Sequence, residues 1–218
     1  RKKSEPIAYL ISKKEFWKDS FFVNNSVLIP RPDSEIIIET AIKYFPDKNQ
    51  DLKILDLGTG SGCLIISLLR EFKKAIGVGI ELDKKALEVA KQNKDSLLNE
   101  KRLKFYNADF SKFNTKNYDL IVCNPPYVST SSKDKLLNEV RDFEPEVALF
   151  AGENGLRCFK MVLNNLIKYE NKKQLIIFEI GYNQLEPLNI LLKNTNFQLI
   201  SVEKDIADLP RCIVAKRI

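Results

Sequence analysis

Asn124, Pro125, Pro126 and Tyr127 stand directly behind the apolar run Leu120 to Cys123. Two adjacent prolines fix φ near about −65°, remove two backbone donors and push Asn124 out of the helical region. The chain must therefore leave its strand in a rigid, extended turn that presents one amide and one aromatic ring. On its own such a turn can be mere punctuation. A second unusual stretch, DLGTGSGC from Asp56 to Cys63, closes another apolar run. Gly58, Gly60 and Gly62, with Thr59 and Ser61 between them, let the backbone turn sharply and let a ligand approach main-chain atoms. Their spacing departs from the dinucleotide fingerprint, and no Gly-Lys-Ser/Thr follows, which excludes a phosphate-binding P-loop. Glu81 ends a third apolar run in VGIELD, and Asp109 and Phe110 follow the next predicted strand in YNADFS.

Ligands of open α/β sheets bind at the carboxyl ends of the strands, so four strand ends carrying glycines, an acid, Asp-Phe and Asn-Pro-Pro-Tyr describe one candidate site. A carboxylate at Glu81 can accept both hydrogen bonds of a ribose diol. An adenine can stack on Phe110 and donate its amino group to Asp109. The glycine turn has no basic clamp for a pyrophosphate, so a nucleoside with a zwitterionic amino-acid tail fits better than NAD. That describes S-adenosylmethionine. A methyl acceptor that is an amide or an exocyclic amine has a delocalised lone pair, and its two N–H groups need acceptors that aim the nitrogen. The side-chain oxygen of Asn124 and the carbonyl of Pro125 supply two, and Tyr127 can pack against the acceptor's planar face. Alignment held in advance lowers the entropic cost of displacement. No strong base is needed, since the proton can leave after transfer.

The elements that must position these residues alternate along the chain. Strands are predicted over 53–57, 75–80, 103–107, 118–123, 174–180, 197–203 and 211–216, and helices over 61–72, 84–98, 155–169 and 183–193. Near-continuous apolar strands such as KILDL, DLIVC and QLIIFEI suit a parallel sheet covered on both faces. The expected fold is therefore a doubly wound, mostly parallel α/β sheet of seven strands. Ahead of it, alternating residues from 7 to 30 predict a β-hairpin. Pro30 and Pro32 end that segment, and Asp33 or Ser34 then caps a helix running to about Tyr44. The polar stretch Ser129 to Lys135 reads as a mobile loop.

At 218 residues the chain has room for one well-buried core, and its 44% hydrophobic and 29% charged content is that of a soluble globular protein. Histidine is absent, which removes Ser-His-Asp and Cys-His nucleophilic systems and any imidazole metal site. No metal is expected. Cys63, Cys123, Cys158 and Cys212 are widely separated and read as reduced thiols. The net charge of +6 is scattered over pairs such as Lys13-Lys14 and Lys172-Lys173, as on a solvated surface, with modest attraction to acidic or RNA-containing partners left open. No apolar run approaches the roughly 20 residues of a membrane span, and no secretory signal is evident. A cytoplasmic location and no membrane partner are expected.

The turn sequences resemble those of class I methyltransferases, whose Asp/Asn-Pro-Pro-aromatic element occurs in both amide and adenine-N6 enzymes. The rest of the chain is more specific. EPIAYLISKKEFW, LIPRPDSE, ILDLGTGSG, NPPYV, VRDFEPEVALFAGENGL and FEIGYNQ together resemble the peptide-chain release factor glutamine N5-methyltransferase family over essentially the whole chain. The resemblance implies methyl transfer from S-adenosylmethionine to the glutamine amide of the Gly-Gly-Gln loop of class 1 release factors, with no direct need for nucleic acid. It also implies that Gly58, Thr59, Gly60, Gly62, Glu81, Phe110 and Asn124 contact the cofactor, and that Asn124, Pro125, Pro126 and Tyr127 hold the glutamine. Residues 1–32 would be an N-terminal hairpin and linker, without the helical domain that usually precedes it in the family, and 33–218 the methyltransferase domain. Arg31 either shapes the acceptor pocket or merely precedes a helix start at Pro32. The alternative activity is adenine-N6 methylation of RNA or DNA.

Overall fold

The computed structural model describes residues 4–98, 101–169 and 173–217. A short helix, α1 (Ile7–Leu10), precedes an antiparallel hairpin of β1 (Lys13–Phe16) and β2 (Asp19–Phe22). The alternation between residues 7 and 30 thus spans a helical turn as well as two strands, because the N–H groups of Tyr9 and Leu10 bond back to the Pro6 carbonyl. A 3-10 turn at Pro32–Ser34 leads into α2 (Glu35–Tyr44). Ser34 makes no cap to this helix. Its hydroxyl is committed elsewhere.

Strand and helix then alternate: β3 (Lys53–Leu57), α3 (Cys63–Glu71), β4 (Ile76–Glu81), α4 (Lys84–Leu97), β5 (Leu103–Asn107) and β6 (Leu120–Cys123). The stretch from Ser129 to Lys135 is ordered as a 3-10 helix at Thr130–Lys135, begun by Ser129 Oγ accepting from Ser131 N at 3.2 Å. Two short helices not foreseen in the sequence, α5 (Asn138–Phe143) and α6 (Glu146–Leu149), come next. The chain ends with α7 (Arg157–Leu166), β7 (Leu175–Glu179), α8 (Leu185–Lys193), β8 (Phe197–Lys204) and β9 (Pro210–Arg217). Of these, β3 to β9 form one sheet in the order β5-β4-β3-β6-β7-β9-β8, parallel from β5 to β7, with β9 antiparallel to both neighbours. This is the seven-stranded α/β sheet expected.

Alternation along each strand divides the core into two layers. Ile54, Leu120, Val122 and Ile177 pack against Ile37 and Ile38 of α2 and Ile65 and Leu69 of α3. Leu55, Ile121, Cys123 and Phe178 face Phe159 and Val162 of α7 and Leu188 of α8. The N-terminal hairpin joins the first layer through Phe16 and Phe21, whose rings meet edge to face at 6.1 Å. Trp17 turns the hairpin at φ 55°, a conformation unusual for a bulky side chain. Tertiary bonds hold it there: its N–H donates to Glu35 Oε1 at 2.8 Å and its indole to Glu71 Oε1 at 3.0 Å.

Glu71 is the anchor of that hairpin. Its side chain is 7% exposed and also accepts from Lys18 and, at 2.5 Å, from Lys48. Burial pushes its carboxyl up, but the Lys18, Lys48 and Trp17 donors outweigh burial and hold it at about 2. A carboxyl depressed in the folded state stabilises above its unfolded value and loses that contribution as pH falls through the folded one. Glu71→Gln should therefore be less stable than the parent at pH 6 to 8, with the gap closing between about 4.5 and 2. Denaturant unfolding at each pH measures this, and a gap independent of pH would separate Glu71 from the hairpin's stability.

Candidate active site

The sheet reverses direction at β3: β4 and β5 extend to one side, β6 and β7 to the other. Helices leaving opposite faces must part there, which opens a crevice beyond the carboxyl ends of β3 and β6. A cavity of about 330 Å³ occupies it, lined by Gly58, Thr59, Gly60, Ser61, Glu81, Asp109, Phe110, Asn124 and Pro126. Most of the residues singled out from sequence therefore share one surface. Gly62 lies beneath it, at φ 81°, where an added Cβ would meet Ile66 Cδ1 at 3.1 Å and Phe105 at 3.4 Å.

The glycine turn is held from below by Asp56, fully buried, whose carboxylate accepts from Thr59 Oγ1 at 2.5 Å. Burial pushes the Asp56 carboxyl up to about 7, against the opposing Thr59 bond and with help from the charge of Glu81. Gly58 at φ 77° and Gly60 at φ 54° adopt left-handed backbone, and a Cβ on either would project into open space. Side chains there would fill the cavity rather than the core. Glu81 accepts from Gly60 N at 2.9 Å and Asp83 N at 3.0 Å. Burial raises its pKa against those backbone donors. Two carboxylate oxygens carry about four acceptor sites, so Glu81 retains capacity toward the cavity. Asp109 accepts from Ser111 N at 2.8 Å, and its carboxyl is lowered because the Ser111 bonds outweigh burial. Phe110 is packed against the α7 layer and supplies an apolar wall.

Strand register sets the other wall. Cys123 pairs with Phe178, so the next residues, Asn124 and Glu179, are level. Both follow residues of the α2 layer two positions earlier, Val122 and Ile177, and both side chains point to the start of α2. There Asn124 Nδ2 donates to Ser34 Oγ at 3.1 Å, and Ser34 Oγ donates to Glu179 Oε2 at 2.5 Å. Tyr127 OH donates to the second oxygen, Glu179 Oε1, at 3.0 Å. Glu179 is 1% exposed. Burial raises its carboxyl, opposed by Ser34, Tyr127 and the charge of Arg211. The Tyr127 hydroxyl is pushed far above its ordinary value by burial and by Glu179.

The turn is buttressed from elsewhere in the chain as well. Val128 and Phe150 form a parallel bridge. Gln184 Nε2 donates to the Tyr127 carbonyl at 3.1 Å, while its Oε1 accepts from Gly181 N at 2.9 Å. Gly155 lies so close that a Cβ would sit 2.2 Å from the Tyr127 carbonyl oxygen. Arg31 lines the cavity and pairs with buried Glu144 at 2.5 Å, and Ile29 N donates to the same carboxylate at 3.3 Å. The segments LIPRPDSE, FEPEVALFAGENGL and FEIGYNQ thus converge on the Asn-Pro-Pro-Tyr turn. Sequence reading assigned no role to Glu179, Glu144 or Gln184, and none to Ser34 beyond capping a helix. Leu28, Val147 and Met161 of the lining were also missed. Leu28 lies in a loop and Val147 in a four-residue helix, too short for a periodic signal, and Met161 in α7 reads from sequence as an ordinary helix position.

A family model described as "Methyltransferase domain" matches residues 48–207. The release factor glutamine methyltransferase of Buchnera aphidicola subsp. Baizongia pistaciae is 37% identical over all of this chain, which covers 77% of that protein. The bifunctional methyltransferase of Rickettsia bellii is 35% identical over 98% of the chain, which spans only 43% of its length. Among solved structures, the hMettl16 catalytic domain in complex with the MAT2A 3′UTR hairpin 6 superposes with a TM-score of 0.69 at 17% identity, covering 90% of this chain and 74% of that one. At that identity the likeness is one of fold. No helix among the described residues is long and apolar enough to cross a membrane. Identity above 30% across nearly the whole chain, together with the matched domain, places the protein: it belongs to the release factor glutamine methyltransferase family.

Proposed function

We propose that the protein methylates the side-chain amide of the glutamine in the Gly-Gly-Gln loop of class 1 peptide-chain release factors, using S-adenosylmethionine. The observation that carries this reading is the wall of the cavity opposite the glycine turn. There a rigid turn presents Asn124 with its Nδ2 engaged by Ser34, leaving Oδ1 free to accept an N–H from a substrate amide.

The residues present fit the cofactor. Gly58 and Gly60 leave room for it, Glu81 offers acceptors for a ribose diol, and Asp109 beside Phe110 offers an acceptor and an apolar wall for adenine. When bound, S-adenosylmethionine supplies an electrophilic methyl group. The chain's own work is to bind and aim. Asn124 Oδ1 and the Pro125 carbonyl accept the two N–H groups of the glutamine amide, and Tyr127 packs on its face. Resonance makes the amide nitrogen a weak nucleophile, so fixed acceptors that orient it contribute more than a base would. The proton leaves to water after transfer, which agrees with a site lacking histidine. The Thr130–Lys135 segment beside the turn carries no aromatic or Arg side chain to sandwich a base, which favours protein over nucleic acid as the acceptor.

Glu81→Ala should weaken S-adenosylmethionine binding by about 1.5 to 3 kcal/mol through loss of charge-assisted hydrogen bonds. Calorimetry on the folded variant measures it, and unchanged affinity would take Glu81 out of the cofactor site. With labelled cofactor, a folded class 1 release factor should gain label, its Gly-Gly-Gln variant with Gln→Ala should not, and RNA or DNA offered alongside should stay unlabelled. Label on adenine, or undiminished label on the Gln→Ala protein, would overturn the proposal in favour of nucleic-acid methylation.

A further inference from the structure

Glu179 does not line the cavity itself, yet one oxygen of its carboxylate holds Ser34, which does, and the other holds Tyr127 of the Asn-Pro-Pro-Tyr turn. Ionised, a carboxylate is acceptor-only. Ser34 Oγ, with a single proton, gives it to Glu179 Oε2 and is left with lone pairs alone. The neighbour of Ser34 must then be a donor, and Asn124 meets it with Nδ2 at 3.1 Å. Tyr127 is fixed in the same way, its one proton given to Glu179 Oε1 at 3.0 Å. Polarity therefore propagates from a buried carboxylate to the only end of Asn124 that a substrate can meet. A side-chain amide has two ends of nearly equal shape and opposite polarity, and packing alone would choose poorly between them.

We infer that Glu179 and Ser34 are positioning residues that fix the Asn124 carboxamide with Oδ1 toward the cavity, so that the site accepts an N–H donor and rejects an acceptor of the same shape. The inference rests on the glutamine reading for its catalytic consequence, but the orientation of Asn124 can be read without any reaction. Three properties mark the chain of contacts as built. Ser34 is 3% and Glu179 1% exposed. The partners come from three separate elements, 90 and 145 residues apart in sequence. Ser34 forgoes the helix cap its position would allow.

The informative variant is Glu179→Gln, which keeps the shape and reverses one end. A phenol is a better donor and a poorer acceptor than an aliphatic hydroxyl, so the Gln oxygen keeps the Tyr127 proton and its amide faces Ser34. Ser34 then accepts from Gln and turns its own proton to Asn124, which must flip and present Nδ2 to the cavity. Ser34→Ala removes the link instead. The Asn124 side-chain amide signal in the ¹⁵N spectrum, identified by its loss in Asn124→Asp, should exchange with water at least tenfold more slowly than free asparagine in the parent protein. In both variants that protection should be lost, with thermal stability recorded alongside to confirm folding. In methyl transfer to a Gly-Gly-Gln release factor, Glu179→Gln should lower kcat on the order of 10²-fold, with KM for S-adenosylmethionine within about threefold. The double variant should be no worse than Glu179→Gln by more than about threefold, because both changes act through one amide. Protection that persists in either folded variant, a kcat loss below tenfold, or losses that multiply would overturn the inference. If the parent transfers no methyl to glutamine, the proposed function fails, and the exchange measurement alone decides the orientation of Asn124.

Discussion

Everything in the site follows from β6 pairing with β3 on the side that β4 leaves open. Parallel strands deliver their carboxyl ends to one edge, and the reversal of strand order at β3 parts the helices that would otherwise cover it. The glycine turn after β3 and the Asn-Pro-Pro-Tyr turn after β6 become opposite walls of one cavity, although 66 residues separate their strands in the pairing of Ile54 with Leu120. A one-step slip of β6 would send Asn124 to the α7 layer, because side chains alternate between faces. The near-complete burial of Leu120, Ile121, Val122 and Cys123 makes such a slip costly.

On that frame the site is organised by buried carboxylates rather than by exposed charge. Asp56 holds the glycine turn through Thr59, Glu144 ties Arg31 to the segment before α6, and Glu179 holds both Ser34 and Tyr127. Removing a carboxylate from water costs several kcal/mol, and each bond to a charged group returns about 1.5 to 3 kcal/mol. Each of these acids is therefore close to balance and adds little to stability. What it adds is uniqueness of geometry, since a carboxyl in its ionised form is acceptor-only and dictates where its neighbours place their protons. In the proposed reaction, a methyl acceptor with a delocalised lone pair gives such geometry its value.

The centre of the sheet was legible from sequence because β3, β6 and β7 are nearly continuous apolar runs followed by glycine, proline or acid, as strands covered on both faces require. Gly58, Gly60 and Asn124 stand just past such runs, and Glu81 and Asp109 stand at or just past the ends of β4 and β5. Ser34 was misread as a cap because capping is a local rule, whereas its actual partner Glu179 lies 145 residues away. Helices α5 and α6 were missed because six and four residues are too few to show a 3.6-residue period. Ser129 to Lys135 looked mobile by composition, yet the Ser129 turn and the Glu153 carbonyl that its hydroxyl reaches tie it down.

The central claim is that the Asn-Pro-Pro-Tyr turn is a preformed amide acceptor facing the glycine turn. A crystal structure with S-adenosylhomocysteine and a bound Gly-Gly-Gln release factor tests it most directly. The account predicts the cofactor product against Gly58, Gly60 and Glu81, and the glutamine nitrogen bonded to Asn124 Oδ1 and the Pro125 carbonyl, with Ser34 and Glu179 unmoved. A glutamine held elsewhere, or an Asn124 side chain turned away from Ser34 to meet it, would contradict the account.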